Sequence, residues 1–413
     1  MTRLRMIFLM AALAGSTWGQ GTLLPDASFQ GIGAGSAPDL PSQHTGGTPA
    51  PDTTFQHIGV TADLPVFYAE VKQTVTFPGS WLAASGRNFT EWRSATRQIV
   101  FDHLLAEPPR ASFQPVTLAE EDRGSYTARK VVFNLNGWSR VLGYLLVPKG
   151  EGPFPAVLLL HDHGARFDIG KEKMVRPLQV DPARLQAAEE WVRGGYGGRF
   201  VGDELARRGY LCLAVDALNW GDRGGAGKEG QQALASNLFN LGISLAGLVA
   251  WEDLAALRFL SSLPEADTTR IAAIGHSFGS YRAWQLAALS EKIRAAVCIC
   301  WMAGRMELMV PGNNLTKGQS SYTTLHPGLT RLLDYPDVAS LACPRALLFF
   351  NGEDDHLFPQ PAARAAFDKM RRIWEEQGAG DRLVTRFWPG GHQFSREMQE
   401  AAFDWLDGQL GRR

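Results

Sequence analysis

In IAAIGHSFGSYRAWQLAAL, residues 271–289, an apolar run stops at a serine with a glycine two positions away on each side, and an Ala/Leu-rich segment starts at once. The run predicts a buried strand and the segment after it a helix, so the serine sits where one turns into the other. Such a turn is tight. Gly275 and Gly279 suit it because a Cβ at either position would strike the neighbouring strand or helix. Ser277 is thereby lifted out of the core at the strand's end, in a strained backbone conformation beside a helix N-terminus. A plain Gly-rich loop is the competing reading, and it leaves the strand-to-helix context unexplained.

A serine hydroxyl is a poor nucleophile until a base takes its proton, and the base needs a carboxylate to orient it. In enzymes built on this elbow the acid and then the histidine follow the serine along the chain. Asp355 follows the apolar run RALLFFNG (345–352), and His392 follows RLVTRFW (382–388). Each stands just past the end of an expected strand, where a doubly wound sheet gathers its site. Asp354 is the rival acid, and the spacing Gly352-x-x-Asp355-x-x-x-Pro359 favours Asp355. His356 adjoins the acid too closely to fold back between it and Ser277. His276 should point away from the serine, as a core histidine.

Acyl transfer also needs donors aimed at the developing oxyanion. One is the backbone N–H of Phe278. The other is expected in His161-Asp162-His163-Gly164, after the run PAVLLL (155–160), at the N–H of His163, with Asp162 and Gly164 as alternatives. A metal cluster of His161, Asp162 and His163 is the other reading of that stretch, but adjacent side chains rarely converge on one ion. No metal and no cofactor are expected.

Around this centre, LCLAVDA (211–217), RIAAIG (270–275) and AAVCICW (295–301) join the runs above as strands rich in Val, Ile, Leu and Phe with little alternation. That pattern fits strands buried on both faces of a parallel sheet. The segments between them, such as AGLVAWEDLAALRFLSSLP and PAARAAFDKMRRIWEEQG, have helical periodicity, which predicts an α/β fold with helices on both faces. Upstream, two strand-like runs flank Asn136-Gly137 and predict a hairpin. Before them, FTEWRSATRQIVFDHLLAEPP (89–109) predicts a helix ended by Pro108-Pro109.

The chain has 413 residues, 45 % hydrophobic and 20 % charged, with 41 basic against 42 acidic side chains. A formal charge of -1 supplies no bulk field for nucleic acid or anionic lipid. Arg3 and Arg5 precede an apolar run from Met6 to Ala14, in the order of a secretory signal and too short to span a membrane. Export to the periplasm or beyond is expected. Residues from Gly19 to about Pro65 read as a tether, with PDASFQGIG partly repeated as PDTTFQHIG. Cys212, Cys298, Cys300 and Cys343 are expected as buried thiols, Cys298 and Cys300 sharing one face of a strand.

From about Val131 to Leu406 these features resemble the α/β-hydrolase superfamily, and within it the dienelactone-hydrolase and acetyl-xylan-esterase-like branch. The resemblance rests on PFPAVLLLHDHG, GYLCLAVDALNWGDRG, WEDLAALRFLSSLPEADTTRIAAIGHSFG, DYPDVASLACPRALLFFNGEDDHLFP and PGGHQFS. It implies a cofactor-free esterase for acetyl or other small acyl esters, often on plant polysaccharides. The stretch Ala165–Gly202 is long for the connection it makes and is expected to wall the pocket. The organisation expected is a leader over 1–19, a linker over 20–66, a helical extension over 67–126 and an α/β-hydrolase domain over 127–410. A prolyl-oligopeptidase-like peptidase and an inactive binding protein on the same scaffold are the alternatives; the former lacks blade repeats before Val131. Trp220 and Trp301 are expected to pack in the core rather than stack on a sugar.

Overall fold

The computed structural model describes residues 59–61, 63–313 and 320–411. The leader, and nearly all of the tether with its duplication, lie outside the described residues. One nine-stranded sheet organises the rest: β1 (Val116–Asp122), β2 (Tyr126–Asn134), β3 (Arg140–Pro148), β4 (Phe154–Leu160), β5 (Leu211–Val215), β6 (Ala266–His276), β7 (Ile293–Ile299), β8 (Ala346–Gly352) and β9 (Leu383–Trp388). Their order across the sheet is β9-β8-β7-β6-β4-β5-β3-β2-β1. β1, β2 and β3 pair antiparallel, and β3 joins β5 antiparallel; every pairing from β5 to β9 is parallel. This is an α/β-hydrolase fold, with the six expected strands and the expected hairpin in place.

The central strands read as unbroken apolar runs because helices cover both faces. In β4, Ala156, Leu158 and Leu160 enter one core while Val157 and Leu159 enter the other. α6 (Phe278–Leu289) is buried at every position, and α5 (Leu245–Ser262) packs beside it, its first turn capped by the Ser244 hydroxyl. Between these helices Arg282 and Asp253 form a buried two-point pair, Nε–Oδ2 2.9 Å and Nη2–Oδ1 2.6 Å. Removing one charge strands the other in the core. Asp253→Ala should therefore lower the unfolding free energy by about 3–5 kcal/mol, read from urea denaturation midpoints; an unchanged midpoint would show that solvent reaches Arg282.

Three local expectations need correction. The segment 67–126 holds the helix α1 (Phe89–Asp102), capped by the Asn88 side chain, but it also supplies β1. VTLAEED pairs on one side only and is exposed along most of its length, which marks an edge strand. α1 stops at Asp102, short of the prolines, where Leu105 takes φ +64°. Its Arg97 donates to the Ala288 carbonyl at 2.8 Å, satisfying the last turn of α6. The four cysteines are buried free thiols, yet Cys298 and Cys300 face opposite cores. β7 ends at Ile299, and φ +55° at Cys300 breaks the alternation.

The sheet order also places the site. β5 lies on one side of β4 and β6 on the other, so the loops leaving β4 and β6 diverge and open a crevice beyond the strands' carboxyl ends.

Candidate active site

At the end of β6, Ser277 has φ +54° and ψ -123°, outside the regions L residues ordinarily occupy. Its N–H donates to Ile299 O of β7 at 2.8 Å, and its carbonyl accepts from Ser280 and Tyr281 in the first turn of α6. The flanking glycines are sterically required. A Cβ on Gly275 would lie 2.1 Å from the Gly279 carbonyl carbon, and one on Gly279 would lie 1.8 Å from Leu160 O. β4, β6 and α6 are thus pressed together at the elbow, and Ser277 faces a cavity of about 850 Å³ that His392 and Phe278 also line.

Asp355 and His392 meet. His392 Nδ1 lies 2.8 Å from Asp355 Oδ2, while Oδ1 accepts from the N–H groups of Leu357 and Phe358 at 2.9 and 3.2 Å. Asp355 is buried, whereas Asp354 and His356 are exposed. The loops after β8 and β9 interlock: Asp354 N–H donates to Gly390 O at 3.0 Å, and a Cβ on Gly352 would come within 2.2 Å of Gly391 O. His392 Nε2 has no hydrogen-bond partner among the described residues. The imidazole therefore keeps one nitrogen on the acid and the other free.

His276 is a core histidine in burial but not in bonding. Its ring centroid lies 4.9 Å from that of His392 and 5.3 Å from that of Tyr196, it contributes to the cavity wall, and neither ring nitrogen has a hydrogen-bond partner among the described residues. Burial, with His392 beside it, pushes its pKa down to about 3, so the ring is neutral at pH 7. Among the described residues, His276, Cys300 and His392 are the group whose ligand atoms lie within 4.8 Å of one another. His392 Nδ1 already holds Asp355, and Cys300 Sγ donates weakly to Gln393 O.

The loop after β4 is where the second donor is expected. Burial pushes His163 down to about 4. The neutral ring accepts from Ala165 N–H at Nδ1 and donates from Nε2 to Gln231 Oε1, at 3.1 Å each. His161 accepts the Ala217 N–H at Nε2 and turns Nδ1 to Asp162 O. Both rings are thus engaged in holding the loop. The backbone N–H groups of His163 and Gly164 have no hydrogen-bond acceptor among the described residues, and both residues line the cavity with Phe278.

The long connection 165–202 does wall the cavity, through Ala165, Arg166, Glu190, Trp191, Gly195 and Tyr196. It also brings residues that sequence reasoning missed. Lys173 is fully buried and donates to His163 O at 2.9 Å and Asp162 O at 3.2 Å. The buried Asp162 carboxylate accepts from Tyr196 OH at 2.6 Å and Trp191 Nε1 at 3.0 Å. Burial opposes its charge, but Lys173 and these donors hold its pKa below the usual carboxylate range. Burial also lowers the Lys173 pKa. Trp220 is wholly buried, as expected, and donates Nε1–H to His163 O at 3.0 Å. Trp301 packs on Tyr281, Tyr335 and Phe358 and shows one side to the cavity.

Residues 67–368 match the Abhydrolase family. The chain belongs to that family. The matched residues include β1 to β8, the elbow at Ser277 and Asp355; β9 and His392 follow them. Among curated relatives, YtaP of Bacillus subtilis (strain 168) is 28 % identical over 290 residues, covering 70 % of this chain and 90 % of that protein. Esterase FrsA of Shigella boydii serotype 18 is 24 % identical over 345 residues, covering 79 % and 71 %. Among solved structures, the glucuronoyl esterase of Solibacter usitatus superposes with a TM-score of 0.57 at 14 % identity, covering 79 % of this chain and 94 % of that one. Methylesterase BT1017 gives 0.58 at 19 % identity, covering 83 % and 68 %. These superpositions are likenesses of fold. Among the described residues no helix is long and apolar enough to cross a membrane.

Proposed function

We propose that this Abhydrolase family member is an exported serine carboxylesterase acting on small acyl esters, acetyl foremost, carried on carbohydrate. The observation that carries the reading is one cavity lined by both Ser277 and His392, with Asp355 bonded to the far nitrogen of the same imidazole. Esterases among the relatives and fold neighbours, and the leader-like order of residues 1–19, support the substrate class and the export.

In this reading His392 Nε2 takes the proton as Ser277 Oγ attacks the ester carbonyl, and Asp355 stabilises the imidazolium through Nδ1–H. The N–H groups of Phe278 and of His163 or Gly164 receive the oxyanion, and the N-terminus of α6 adds its dipole. His392 returns the proton to the leaving alcohol, leaving an acyl-serine. Water, deprotonated by the same imidazole, then releases the acid. Substrate, base and donors are held by loops on rigid strands, so little reorganisation accompanies reaction.

The test is covalent. A fluorophosphonate probe should label the folded protein once, at Ser277 by peptide mapping, and abolish turnover of p-nitrophenyl acetate in step. Well-folded protein that resists the probe would favour the inactive binding protein, and faster cleavage of aminoacyl amides than of acetyl esters would favour the peptidase.

A further inference from the structure

The contacts behind the β4 loop show more order than a wall needs. The carbonyls of Asp162 and His163 each accept two hydrogen bonds: Asp162 O from Lys173 Nζ and His161 Nδ1, His163 O from Lys173 Nζ and Trp220 Nε1. Neither following peptide bond is cis. In a trans peptide the carbonyl and the next N–H point in opposite directions within one plane. Drawing both carbonyls back onto one ammonium therefore turns the N–H groups of His163 and Gly164 the other way, and neither has an acceptor among the described residues. A cation on a carbonyl also polarises its amide, which makes the N–H on the same unit a stronger donor.

We infer that Lys173 is a positioning residue for the proposed oxyanion hole: from behind the loop it orients and polarises the His163 and Gly164 N–H groups, without itself touching substrate. The inference rests on the esterase reading. Its supports are also buried and specific. Asp162 holds Lys173 in place, with Oδ1 3.5 Å from Nζ, and is itself gripped by Tyr196 and Trp191. The Lys173 ammonium lies 5.0 Å from the Trp191 ring centroid. Gly164 has φ +57°, and a Cβ there would lie 2.2 Å from Trp191 and 2.5 Å from Asp162 Oδ1, so the loop, the tryptophan and the aspartate fit only with glycine at that place.

The experiment compares wild type with Lys173→Met and with Asp162→Asn/Lys173→Met, which removes both buried charges and keeps the proposal testable if the single variant does not fold. Binding of phenylboronic acid, whose tetrahedral serine adduct carries the oxyanion, is read alongside kcat and KM for p-nitrophenyl acetate. Loss of the polarised donors should weaken boronate binding and lower kcat in parallel, by about 100-fold, with KM within about threefold. A folded variant that binds boronate as wild type does would overturn the role of Lys173. A wild-type protein that the fluorophosphonate probe leaves unlabelled would instead overturn the esterase reading beneath it.

Discussion

Ser277→Ala should lower the turnover of p-nitrophenyl acetate by about 10⁴- to 10⁶-fold while leaving the fold intact. The hydroxyl makes no hydrogen bond to any described residue, so the elbow loses nothing on which its geometry depends. Ala also lacks bulk to clash where φ is already +54°. What remains should be the modest catalysis of binding and oxyanion donors alone. Because serine and imidazole act as one unit, adding His392→Ala to the serine variant should cost almost nothing further. Steady-state kinetics of the three variants, with circular dichroism as the folding control, check this. A serine variant within tenfold of wild type would remove Ser277 from the chemistry.

Asp355→Asn should lower kcat by about 10⁴-fold, through the tautomer of His392. Two backbone donors, Leu357 N–H and Phe358 N–H, converge on Oδ1. The amide oxygen of the substituted residue must stay there to satisfy them. Its NH₂ group is then forced into the Oδ2 position, facing His392 Nδ1 at about the native separation of 2.8 Å. The ring can answer only by accepting at Nδ1, which puts its proton on Nε2. A base that already carries a proton toward the serine cannot remove another. The loss should appear in kcat with KM little changed, and a variant retaining a tenth of wild-type activity would contradict it.

How much of this was legible in the chain follows from which contacts are local. Ser277, Asp355 and His392 each stand just past an apolar run, and a parallel sheet delivers such ends to one edge whatever the loops do. Gly275 and Gly279 announce a close approach by their spacing, and the structure supplies the atoms they would strike. The edge strand β1 was harder to read because its acidic residues face solvent, so no buried stripe marks it. Cys300 was placed on the wrong face because alternation holds only while a strand lasts. Lys173 offered no signal. GKEKM looks like a solvated turn, and the partners that make Lys173 a buried cation are Asp162 and His163 in an earlier loop and Trp191 on the helix that follows.

Tyr196 and Trp191 each have two ends with different duties: their rings border the space available to the ester, and their polar tips grip Asp162. Reshaping that border for bulkier acyl or sugar groups would slacken the anchor of the loop behind it. On the proposed reading selectivity and speed are mechanically linked here, and an engineer widening the range would do better from the Leu357 side chain, whose residue holds Asp355 only through its backbone N–H.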